Sequence, residues 1–145
     1  MAKRALASGI GAQVLDKTKE KFDEEEAGKL LQWAKEMTGE SFAVKGSMDA
    51  FQNILQDGTV LCKLVNAVQE GSVKKIQKPT NSFACLGNIE EFVKGCKALG
   101  APTESTFQSV DLYEGRDLFA VSMTIRWLGK KAKDMGKPFP DVHYD

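Results

Sequence analysis

The sequence predicts an all-α domain with four main helices plus short connecting helices. Two observations carry this. Apolar residues recur at helical spacing of three and four over several segments, as in Leu30, Leu31 and Ala34 or Leu61, Leu64, Val65 and Val68. No segment alternates apolar and polar residues convincingly over five or more positions, so the period of a half-buried strand is missing. Breaks rich in Gly, Pro, Asn and Ser separate the helical segments.

Residues 1 to about 20 form a mixed, Gly-containing lead-in with one amphipathic turn around Val14 to Phe22. "DEEEAGKLLQWAKEMTG" is the first helix. Asp23 can cap it, with Glu26 three residues on in capping-box position. Acidic residues in its first turn suit the positive end of the helix dipole. Ala27, Leu30, Leu31, Ala34 and Met37 make its apolar face, with Trp33 on the edge, and Gly39 ends it.

"SMDAFQNIL" is a short amphipathic segment carrying Phe51, Ile54 and Leu55. The next helix starts after Gln56-Asp57-Gly58. A reactive loop, a phosphate cradle and a corner between helices are the three readings of that stretch. No GxGxxG follows a strand and no GxxxxGK[ST] is present, so the corner is favoured. Asp57 stands where a carboxylate caps free N–H groups, and Gly58 permits an unusual dihedral or a close approach. Asn66 either faces solvent or ties a loop to the helix through its amide.

"GSVKKIQKPTNS" is a loop by composition. "FACLGNIEEFVKGCKALG" is a helix with Cys85, Ile89, Phe92, Val93, Cys96 and Leu99 on one side, ended by Gly100 and Pro102. "STFQSVDLYEG" carries two short capping patterns, Ser105 to Gln108 and Asp111 to Glu114, and reads as compact turns or one short helix. "RDLFAVSMTIRWLGKKAKDMG" is the last long helix, with the stripe Leu118, Val121, Ile125 and Leu128 and with Trp127 beside it. The prolines of "KPFPDVHYD" predict an extended tail. Trp33, Leu61, Leu64, Phe92, Leu118 and Ile125 are expected to share one core.

Composition excludes several classes of function. Lys+Arg and Asp+Glu are both 20, giving a formal net charge of zero. A dedicated nucleic-acid binder has a basic excess, because neutralised phosphates drive its affinity. The longest apolar runs are too short to span a membrane, and the N-terminus has no continuous apolar core to serve as a signal peptide. Cys62, Cys85 and Cys96 lack CxxC spacing and lie on or beside apolar stripes, which predicts buried, reduced thiols of a cytoplasmic protein. His143 is the only histidine, so a Cys–His or Ser–His nucleophile system has little to draw on. Zinc-ligand spacing and a calcium-loop pattern are both absent. No catalytic constellation and no cofactor are expected.

The stretch "MDAFQNILQDGTVLCKLVNAVQEGSVKKI" resembles the central motif of a calponin-homology domain, an Asp-Gly corner followed by Leu, Leu and Asn on one helix. "NIEEFVKGCKALG" is similar to that family's next core helix. "FQSVDLYEGRDLFAVSMTIRWL" is similar to its closing segment. The resemblance covers roughly residues 20 to 135 and implies the calponin-homology fold. It divides the chain into a lead-in (1–20), the domain (21–135) and a C-terminal tail (136–145). "GSVKKI" and the lead-in resemble the calponin and transgelin branch. That branch implies a non-enzymatic module that binds or regulates actin filaments, often in muscle. A signalling adaptor docking kinases or other regulatory proteins, and a microtubule-binding module, are the alternatives. Many relatives carry short actin-binding repeats after the domain, and residues 136–145 hold none. Binding by the isolated domain, expected to be a monomer, is therefore expected to be weak.

Two lysine groups are the candidate partner contacts. Lys74, Lys75 and Lys78 lie in the loop after the Asp-Gly helix, where a merely solvated charge cluster is the competing reading. Lys130, Lys131 and Lys133 end the last helix, where complementing the helix dipole already accounts for them.

Overall fold

The computed structural model describes residues 21–144. Among these residues the regular structure is helical throughout: α1 (Glu24–Thr38), α2 (Met48–Leu55), α3 (Thr59–Val68), α4 (Ser82–Ala98), a 3₁₀ turn (Thr103–Ser105), α5 (Ser109–Tyr113) and α6 (Leu118–Asp134). The amphipathic turn expected around Val14 falls, apart from Lys21 and Phe22, outside the described residues.

Each main helix begins where its sequence supplies an acceptor. The Asp23 carboxylate accepts from the N–H groups of Glu25 and Glu26, and Gly39 closes α1 in the left-handed conformation at φ 72°. Ser47 caps α2, Asn81 caps α4 and Asp117 caps α6. The short α5 starts one frame away from either expected pattern: Gln108 N–H donates to Asp111 Oδ2 at 2.8 Å, while Ser105 belongs to the 3₁₀ turn. Sequence spacing could not choose between these overlapping frames.

All six residues expected in one core are in it: Trp33, Leu61, Leu64, Phe92, Leu118 and Ile125 belong to a single buried cluster. Phe22 seals one end edge-on to Phe51, with ring centroids 5.2 Å apart. Trp33 is not at the edge of the α1 stripe, as its spacing suggests, but 2% exposed. The reason lies far along the chain. The tail is not the simple extended segment its prolines suggest: Gly136 turns the chain at φ 76°, Val142 N–H closes a second turn onto the Pro140 carbonyl, and the tail runs back across the helices. Trp33 Nε1 donates to the Pro138 carbonyl at 2.8 Å. Lys137 Nζ donates to the Val68 carbonyl at the end of α3 at 2.5 Å. Pro140 packs so closely on Gly129 of α6 that a Cβ there would lie 2.6 Å from the proline ring. The Tyr144 hydroxyl donates to the Pro140 carbonyl. A helix-period analysis cannot see such a cover, because it is built from residues with no period.

Candidate partner-binding surface

The Asp57-Gly58 stretch is a corner. Gly58 has φ 78°, and a Cβ on it would sit 2.5 Å from Asn88 Cβ and 2.8 Å from Ile89 N. Glycine therefore serves twice here, for its left-handed dihedral and for the close approach of the α3 N-terminus to α4. The Asp57 carboxylate accepts from Thr59 N–H at 2.8 Å.

Asn88 is the residue that the sequence reading missed. It is 0% exposed and lies on the buried side of α4. Its Nδ2 donates to the Asp57 carbonyl (3.1 Å) and the Gln77 carbonyl (2.9 Å), and its Oδ1 accepts from Gln77 N–H (2.9 Å). The Cys62 thiol donates to the Asn88 carbonyl at 3.1 Å. A buried amide left unpaired is costly, so a polar residue inside an apolar stripe is itself a signal of such a network.

Asn66 does the same work at the other end of the loop. Its Nδ2 donates to the Val73 carbonyl (3.0 Å) and its Oδ1 accepts from Val73 N–H (2.7 Å). Of the two readings open for Asn66, the loop tie is the one found. Each asparagine thus pairs with both backbone groups of one loop residue, as a neighbouring strand would.

The two clamps orient the segment between them. Val73 is buried, and Ile76 is partly buried against the core. Lys74, Lys75 and Lys78 are exposed and, among the described residues, make no ion pair. Between Glu70 and Glu90 the sequence holds these three lysines and no acid. The same face carries Phe83 in the first turn of α4, 80% exposed. An open groove of about 450 Å³ lies between Lys75, Ile76, Lys78 and Phe83.

The second lysine group is engaged with its own neighbours. Lys130 pairs with Asp134 at 2.9 Å, and this hydrogen bond holds the Asp134 carboxyl below its ordinary range. Lys133 lies over the rings of Phe139 (5.1 Å) and Tyr144 (5.7 Å), so it fastens the tail. Lys131 is half-buried in the last turn. No hydrogen bond or ion pair links this group to the loop lysines among the described residues.

The cysteines offer no reactive centre. All three are free and buried. Burial pushes the Cys62 and Cys96 thiols up to about 12 and raises Cys85 as well, so the nucleophilic thiolate is disfavoured. Among the described residues no cluster of His, Cys, Asp and Glu could hold a metal ion, and no helix is long and apolar enough to cross a membrane.

The family model described as the calponin homology (CH) domain matches residues 24–134. The chain belongs to the calponin-homology family. Myophilin of Echinococcus granulosus is 36% identical over 124 residues, which is 85% of this chain and 64% of that protein. The chain thus spans about 64% of the length of this curated relative. Among solved structures, the calponin-homology domain of an IQGAP protein from Schizosaccharomyces pombe superposes with a TM-score of 0.66 at 23% identity, covering 88% of this chain and 81% of that one. That likeness establishes the calponin-homology fold independently of the sequence match.

Proposed function

We propose that this domain associates with actin filaments through the loop face carrying Lys74, Lys75 and Lys78, as a cytoplasmic, non-enzymatic, monomeric module of the calponin and transgelin type that works in muscle. One observation supports the choice of face: among the described residues these lysines make no ion pair and are exposed, with Lys74 and Lys75 between the two asparagine clamps and Lys78 next to the clamped Gln77, whereas Lys130 and Lys133 are already occupied. A clamped loop loses little conformational freedom when a partner arrives.

The association is weak. Exposed ion pairs contribute only about 0 to 1 kcal/mol each, and salt screens them. A dissociation constant poorer than about 10 μM is the expected outcome. Co-sedimentation with purified filaments tests this directly. Parent protein should pellet with actin at low salt, and the Lys74→Glu, Lys75→Glu, Lys78→Glu variant should pellet less while keeping its unfolding midpoint. Equal pelleting of the two proteins across low and moderate salt refutes the face. Failure of the parent to pellet refutes direct actin binding and leaves the signalling-adaptor role. Pelleting with microtubules but not actin assigns the other filament. Neither nucleic acid nor membrane enters this reading.

A further inference from the structure

Phe83 is an expensive residue in its position. It is 80% exposed, one of two large apolar side chains left open among the described residues. The other, Phe139, is 47% exposed and is met by the Lys133 ammonium and the Tyr144 ring. Among the described residues no packing explains Phe83: Asn81 already caps α4 by accepting from Ala84 N–H at 2.8 Å, and the buried face of the helix begins at Ala84 and Cys85. Large aromatic side chains at the centre of an interface carry a disproportionate share of its affinity.

We infer that Phe83 is the anchor of a docking site whose partner is an acidic protein segment carrying an apolar side chain, which seats beside Phe83 while its carboxylates meet Lys75 and Lys78. This deepens the reading of the loop as the partner-binding face and rests on it. Charge complementarity selects the partner. Residues 71–89 supply only positive charge in a chain that is neutral as a whole. Three lysines and one phenylalanine are fewer than the four to eight basic residues by which a segment recognises an anionic membrane. The partly buried Ile76 lines the groove with Phe83, so a side chain entering this mixed polar and apolar groove can seat against those two residues. Lysines alone would give a salt-sensitive and unselective contact. The phenylalanine makes part of the affinity insensitive to salt and selective for an apolar side chain.

The probe is a fluorescein-labelled peptide of glutamates with one central phenylalanine, its control the same peptide with serine there, both read by fluorescence anisotropy against the full chain. The phenylalanine peptide should bind about tenfold or more tightly than the serine peptide. That ratio should persist from low salt to about 0.3 M, where the Debye length has fallen below about 8 Å. Phe83→Ser should erase the preference without moving the unfolding midpoint, and the triple lysine-to-glutamate variant should lose both peptides. Undetectable binding of the phenylalanine peptide, equal binding of the two peptides, or an intact preference in Phe83→Ser would overturn the proposal. Tighter, Phe83-dependent binding to phosphatidylserine vesicles or to single-stranded DNA would overturn the class of partner. No filament is present in this assay, so a parent that fails to pellet with actin but keeps the peptide preference sinks the actin reading alone.

Discussion

Replacing Gly58 by Ala should destabilise the domain by about 2 to 5 kcal/mol, and the reasoning separates into two parts. Placing an alanine in the left-handed conformation that Gly58 holds at φ 78° costs about 1 to 2 kcal/mol. The new methyl would also stand 2.5 Å from Asn88 Cβ and 2.8 Å from Ile89 N. Neither atom is the end of a side chain that can rotate away; both belong to the body of α4. The α3 N-terminus must therefore move off α4, and overpacking of this kind costs about 1 to 3 kcal/mol. Gly39 supplies the control. It has φ 72°, yet nothing lies within 4 Å of a Cβ built there, so Gly39→Ala should cost only the dihedral part. Urea unfolding followed by circular dichroism measures both variants, with the midpoint reporting stability provided the slope is unchanged. If Gly58→Ala and Gly39→Ala agree within about 0.5 kcal/mol, the close approach contributes nothing and the account of the corner is wrong.

Three further outcomes follow from the core and its networks. Leu64→Ala or Phe92→Ala removes a fully buried side chain from the shared cluster and should cost about 2 to 5 kcal/mol in the same unfolding assay, with losses below about 0.5 kcal/mol at both sites contradicting the core assignment. Asn88→Ala should cost about 2 to 3 kcal/mol and speed hydrogen exchange at the Gln77 amide far more than at the Val73 amide, because Asn66 still holds the latter; equal acceleration at both would mean that the clamps are not independent. The Cys62 and Cys96 thiols, raised from 9.0 to about 12, favour the folded state fully below pH 9; that contribution fades as pH rises from 9 toward 12, by up to about 1.4 kcal/mol per pH unit for each thiol. A Cys62→Ala, Cys96→Ala variant should then lose stability less steeply over that range, and parallel declines in the two proteins would contradict the assignment.

What was legible in the sequence, and what was not, divides along a physical line. The helices and the core are periodic, and Leu30, Leu61, Leu64, Phe92 and Ile125 announce themselves by spacing. The corner is legible because Asp and Gly have few other uses before a helical stripe. The surface was half legible. Lysines without acids can be counted along a loop, but their availability depends on whether Asp134 or an aromatic tail reaches them first, and only tertiary placement decides that. Phe83 sat beside an apolar stripe in the sequence and gave no sign that its own side faces water.

The roles of Asn88 and of the Trp33 indole N–H are invisible to helical spacing for one common reason: their partners lie outside any helical period. Asn88 bonds to Gln77 and Asp57, and Trp33 to Pro138, a residue in a segment with no apolar repeat. The Asn88 bonds connect the interior to the candidate surface. The pairing of α3 with α4 places Asn88, Asn88 fixes Gln77, and Gln77 lies between Lys75 and Lys78. A substitution that displaces α4 at Gly58 therefore moves the loop as well as lowering stability. Such a variant should lose partner binding even under conditions where it remains folded, whereas Gly39→Ala, whose methyl meets nothing within 4 Å, should not.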